Sequence, residues 1–239
     1  MILAATTGFG LIPVFAQLMM QAGFSADGIT LYRIGIPLLI LVWWFRPHGL
    51  DAMEILRTML LGMFSGVGMV LFMRALAGSS ATAVILLYYC YPFFSILLGK
   101  LLFGQPMTRD SLSCALLILV AVSLTLSHES LNPEELPLIL GSLLAPISFA
   151  LMIQYYARPI KTMAPQQRME TCATGTLMVI LPLILLMGSP NLLPARPADY
   201  VWIPIIGVVS AALPQYLFVK GAPLASVVYQ PPQAWSPWK

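Results

Sequence analysis

Residues 60–74, LLGMFSGVGMVLFMR, are answered near the end of the chain by residues 205–220, IIGVVSAALPQYLFVK. Gly62 faces Gly207 and Ser65 faces Ser210 at an offset of 145; after one inserted residue, Leu71-Phe72 faces Leu217-Phe218 and Arg74 faces Lys220 at 146. Two further pairs follow in the same order. GFGLIP (8–13) matches GSLLAP (141–146) in its glycine and proline at an offset of 133, and IPLLIL (36–41) matches LPLILL (181–186) at 145. Apolar runs match by chance easily, but ordered matches whose offsets grow only at loops point to a duplicated unit.

Composition sets the solvent. Hydrophobic residues make up 59% of the 239 residues, charged residues 9%, and the mean hydropathy is +0.87. A soluble domain carries about 25% charged residues, so only lipid can solvate this surface. The fold class is therefore an all-α polytopic membrane protein. No Lys/Arg cluster exists to neutralise phosphates, which excludes a nucleic-acid partner. Cys90, Cys114 and Cys172 each lie within an apolar run and read as free thiols. Residues 2–22 lack a positive leader and contain Pro13 and Gln17, so they read as a first spanning helix rather than a signal peptide.

A helix crosses the hydrocarbon core in about 20 residues. Apolar runs between charged or turn-rich breaks predict eight spans, at about 2–22, 27–45, 56–76, 81–99, 109–127, 136–157, 170–187 and 200–219. Their short loops carry cations unequally. One side holds Arg46, Arg57, Lys100, Arg109, Arg158, Lys161, Arg168 and Lys220; the other holds Arg74 and Arg196. The positive-inside rule then places the N-terminus in the cytoplasm. The acidic connector HESLNPEE falls on the opposite face.

The first copy has five spans. An odd number makes the second copy enter from the other side, so residues 1–128 and 136–239 are expected to form inverted repeats joined by an external connector at 129–135. Inverted repeats characterise secondary transporters, whose substrate site lies between the halves near the midplane. Counterparts of the fourth and fifth spans would fall at about 227–273, beyond Lys239, and the QPPQAWSPWK tail is too short and proline-rich to supply them. The expectation is a second repeat cut short, about eight helices of ten.

The stretch RALAGSSATAVILLYYCYPFFSILLGKLLFGQPMT resembles the signature region of the drug/metabolite transporter superfamily, EamA type. The shared features are Ala75-Leu76, the small residues Ser79 to Ala83, Pro92 and the closing Phe103-Gly104-Gln105; GFGLIPVFA and Arg33 also fit. Gln105 stands where that family usually has glutamate. The resemblance implies ten helices around a central cavity and alternating access by a multi-pass inner-membrane carrier. Its partners would be a small-molecule substrate (amphiphilic metabolites, amino acids or drugs, moved outward) and membrane lipid. No cofactor or metal is implied, and a homo-oligomer stays open. The rival reading is a truncated, non-transporting remnant or membrane scaffold.

Candidate substrate-binding residues are those that are costly to place in lipid. Arg33 is the one ionisable side chain set clearly within a predicted span, and a charge there is expensive and marks function by default. It either attracts an anionic substrate group or bonds neighbouring carbonyls. Tyr88, Tyr89, Tyr91 and Pro92 cluster in the middle of the fourth span; their hydroxyls need partners, so they line a cavity or bond facing helices. Gln17, Gln154 and Gln215 are substrate donors or interhelical glue. Gly62 and Gly66 form a GxxxG, and Gly207 with Ala211 is small-xxx-small, which reads as helix packing. No acidic residue falls at mid-span on these boundaries. The two histidines, His48 and His128, fall on opposite sides, and no HExxH, GxSxG or Cys/His metal spacing occurs, so an enzyme is not expected.

Overall fold

The computed structural model describes residues 2–42, 51–126, 132–156, 162–187, 191–194 and 196–227. The tail from 228 onward, Arg46, His48, His128, Arg158 and Lys161 lie outside the described residues. The described chain is helical, with no strand. It runs α1 (Ile2–Gly10), α2 (Ile12–Gln21), α3 (Ala26–Val42), α4 (Ala52–Gly78), α5 (Ala81–Tyr88), α6 (Tyr91–Phe103), α7 (Arg109–Leu126), α8 (Leu136–Ser142), α9 (Leu144–Tyr156) and α10 (Pro165–Met187). The last span is composite: a 3-10 turn (Pro197–Val201), α11 (Trp202–Pro204), a π-helical stretch (Ile205–Ala212) and α12 (Leu213–Val227).

Seven stretches among the described residues are long and apolar enough to cross a membrane, and they match seven of the eight expected spans. The remaining one is α3, which ends at Val42 where description stops. Leu3, Leu185 and Leu186 stand more than four-fifths exposed, as lipid-facing side chains should.

Local chemistry sets the helix ends. The Asp51 carboxylate accepts from the Met53 N–H and the Ser80 hydroxyl from the Ala83 N–H, which caps α4 and α5. Gly104 closes α6 in the left-handed region (φ 62°). Its N–H bonds Lys100 O while the Gln105 N–H bonds Gly99 O, an arrangement that glycine alone adopts without strain.

Three spans expected as single helices are each two. The chain breaks at Leu11, at Tyr89-Cys90 and at Leu143, just ahead of Pro13, Pro92 and Pro146. A proline lacks the N–H that would close the preceding turn and suits the start of a helix, so each restarts the helix after the break. Pro37 and Pro182 remain inside α3 and α10, and the π-helical stretch ends just before Pro214.

Packing is closest where glycines remove side chains. A Cβ on Gly62 would sit 2.1 Å from Cys172 O, one on Gly66 3.0 Å from Thr176 O, and one on Gly175 2.2 Å from Met59 O, so α4 and α10 touch backbone to backbone. Gly68 brings α4 equally close to Leu144 of α9. On the other side of the bundle, Gly207 packs under Ile36 of α3, and Gly8 of α1 lies under the Pro214 ring. The pairings thus alternate: α4 lies on α10 and α8–α9, while the last span lies on α3 and α1–α2.

The polar links are few. At the end remote from the N-terminus, Arg74 of α4 grips Asp27 of α3 with two hydrogen bonds of 3.1 and 2.9 Å, both side chains largely buried. Between α9 and α6, Gln154 donates to Ser95 O (2.9 Å) and Ser95 Oγ (3.0 Å) and accepts from Gln105 (2.8 Å). Gly99 makes the room: a Cβ there would lie 2.7 Å from the Gln105 amide.

One boundary needs correction. The seventh span does not begin at 170: α10 starts at Pro165 and carries Arg168 and Glu170 into the bundle, 3% and 4% exposed. Arg168 is held there because its guanidinium donates to the last carbonyls of α9, Tyr155 O and Tyr156 O, and stacks on both rings.

Four substitutions test this packing. Gly62→Val, read by thermal unfolding in detergent, should destabilise by about 1–3 kcal/mol as α4 and α10 are forced apart. Gly35→Ala, with open space around it, should be neutral or stabilising by up to about 1 kcal/mol. Gln154→Leu should cost about 1 kcal/mol by the same measurement, and Ser95→Ala should remove only part of it, because the Ser95 carbonyl remains.

Candidate functional site

The helix breaks converge on one cavity. Every span except the one formed by α7 contributes to its wall. Pro13 and Ala145, beside two of the breaks, line it, and Tyr88 reaches it from the last residue of α5. Irregular backbone at membrane depth is tolerated where it lines a cavity.

One wall is aromatic. The Phe72 and Tyr88 rings stand 5.1 Å apart, Tyr88 and Phe149 5.7 Å, and Phe9 and Phe149 5.6 Å; Tyr91 stacks behind, 5.1 Å from Phe149. The polar groups are sparse. Ser148 and Thr176 spend their hydroxyls on helix carbonyls, Ala145 O for the first and Gly62 O with Cys172 O for the second. Arg33, Tyr88 and Ser65 face the same space and make no hydrogen bond or ion pair among the described residues. Tyr88 is the phenol that lines the same cavity as the Arg33 guanidinium.

An unpaired guanidinium inside a membrane bundle costs about 2.5–3.5 kcal/mol. Here it stands beside aromatic surface that can cover an apolar body. The arrangement therefore suits a small molecule with an anionic group at one end and an apolar part at the other. Hollows lined mainly by apolar and aromatic side chains, with a few convergent polar groups, are where small ligands bind.

The sequence-derived candidates separate by helix face. Arg33, Tyr88, Gln215 and Ala211 line the cavity. Tyr91 and Pro92 do not line it, and Tyr89, about 45% exposed, points away from the bundle. Gln17 is half-buried outside the cavity, and Gln154 is engaged between α9 and α6. Gly62, Gly66 and Gly207 sit at close helix contacts. Phe9, Phe72 and Phe149 went unnoticed in the sequence. A pair of marks was available for two of them, the glycines flanking Phe9 and the Leu-Phe step at Leu71-Phe72 that recurs at Leu217-Phe218.

Comparison with known proteins gives a consistent result. Residues 1–127 match the model of the EamA-like transporter family. An "Uncharacterized transporter" of Helicobacter pylori (strain J99) is 24% identical over 226 residues, covering 90% of this chain and 74% of that protein. No solved structure matches. With more than half its length matched and seven membrane-length apolar stretches in an all-helical bundle, the chain belongs to the EamA-like transporter family.

Proposed function

We propose that the protein carries small amphiphilic metabolites bearing an anionic group, such as amino acids or organic acids, through the cavity by alternating access, in the outward direction. The observation that carries this reading is Arg33, a cavity-lining guanidinium without a partner among the described residues. A charge maintained at this depth without structural bonds is kept for a ligand, and Tyr88, which lines the same cavity, gives the anionic end a second donor.

Alternating access requires two units that can rock about the site. The alternating pairings support an inverted repeat: the α4 contacts with α10 and α8–α9 have counterparts in the last span's contacts with α3 and α1–α2. The broken helices at Pro13 and Pro146, matched at an offset of 133, support it as well. In the orientation that the Lys/Arg distribution favours, the end bearing the N-terminus is cytoplasmic and the Asp27–Arg74 pair is external. That pair holds the external ends of α3 and α4 together.

Counterflow in proteoliposomes, with a panel of radiolabelled amino acids and organic acids, tests the reading. Arg33→Gln should lower exchange of the accepted substrate at least about tenfold, the loss of one charge-assisted contact, with folded yield unchanged. Tyr88→Phe should cost less, about two- to fivefold, the loss of one neutral hydrogen bond. A well-folded Arg33→Gln protein with full exchange removes the anion-binding role.

A further inference from the structure

Glu170 is 4% exposed, and neither of its carboxylate oxygens has a hydrogen-bond partner; no ion pair reaches it among the described residues. Most charged and titratable groups on the neighbouring elements are engaged or turned elsewhere, while on α9 the buried Tyr156 hydroxyl, whose ring lies against Arg168, has no hydrogen-bond partner. On α4, Glu54 and Arg57 pair with each other at 2.8 Å, and Glu54 also accepts from the Tyr155 hydroxyl of α9. On α12, Lys220 is exposed and lies over the Tyr216 ring, and on α3 Arg33 faces the cavity. On α10 itself, Arg168 caps α9, and Cys172 is a buried thiol.

The position matters as much as the burial. Ala173, three residues further along α10, lines the cavity, as do Cys172 and Thr176. Residues three apart share a helix face, so Glu170 lies one turn below the cavity, toward the end that bears the N-terminus. The opposite end of the bundle has the contrasting arrangement: its buried carboxylate, Asp27, is gripped by Arg74.

We propose that Glu170 is a proton-exchange site on the passage from the cavity to the N-terminal end of the bundle, protonated while that end is packed as here and ionised when it opens. The physical reason is that an isolated carboxylate in an apolar setting neutralises rather than stays charged. When the N-terminal ends of α10 and α12 part, water reaches the acid. Its O–H bond breaks, the proton leaves to water on that side, and the carboxylate remains on Glu170. Reclosing the passage requires a proton to be taken up again. Opening of this end therefore depends on the pH of the water that it meets, and the proposal rests on the transporter reading above.

Two measurements test it without needing a substrate. In the first, the unaltered protein is treated with dicyclohexylcarbodiimide, which adds to protonated carboxyls in apolar surroundings, and the sites are mapped by mass spectrometry. Glu170 should be modified ahead of Glu54, Glu134 and Glu135, at least about fivefold more at about pH 6 than at about pH 9. In the second, Cys90→Ser and Cys114→Ser leave Cys172 as the thiol that reports opening, and its rate of reaction with N-ethylmaleimide is followed against pH. The rate should rise more steeply with Glu170 than with Glu170→Gln, whose profile reflects thiol ionisation alone. An unmodified Glu170, or superimposable maleimide profiles, overturns the proposal and leaves the transporter reading to stand or fall on the counterflow result.

Discussion

The backbone contact between α4 and α10 organises the bundle. Lipid offers no hydrophobic drive for two apolar helices to associate, so close packing must supply it. Gly62, Gly66 and Gly175 let the two backbones meet with nothing between them, and Thr176 uses the approach to bond Gly62 O across the interface at 2.9 Å. Once that seam is set, Ser65 on α4 and Ala173 on α10 are fixed at the edge of the same space, and α9 is held to α4 through Gly68. The cavity is what remains where the other helices cannot follow the same line.

They cannot follow because of their prolines. Breaks at Leu11, Tyr89-Cys90 and Leu143 interrupt three spans, and the π-helical stretch adds a fourth irregularity before Pro214. Each interruption frees backbone polar groups that pure hydrocarbon would not tolerate. Placing them around a shared hollow meets that constraint and positions Phe9, Tyr88 and Phe149 on its wall.

Most of the fold could be read from the sequence, because runs of about 20 apolar residues have few alternatives. The seventh span was the exception. Arg168 looked like loop and Glu170 like the first residue of the span, since charge normally ends a span; what hides Arg168 is a set of carbonyls at the end of α9, a partner invisible in sequence. The cavity was harder. Helices that are apolar all round carry no periodic signal to say which face is inward, so Tyr88 and Tyr89 look alike on the page. Successive residues point about 100° apart on a helix, and the structure turns the first toward Arg33 and the second outward. Arg33 itself was conspicuous because a charge in a span is rare, but whether it had structural partners could be decided only in three dimensions.

The Asp27–Arg74 pair bears on biogenesis. Both side chains lie at the end of the bundle remote from the N-terminus, and a lone guanidinium carried into lipid costs about 2.5–3.5 kcal/mol. Asp27 opens α3 and Arg74 closes α4, so the two meet only when both helices are inserted side by side. A neutral, doubly bonded couple enters lipid more readily than either ion. The two helices are thereby favoured to enter as a single hairpin, with their mutual recognition settled before the later spans leave the ribosome.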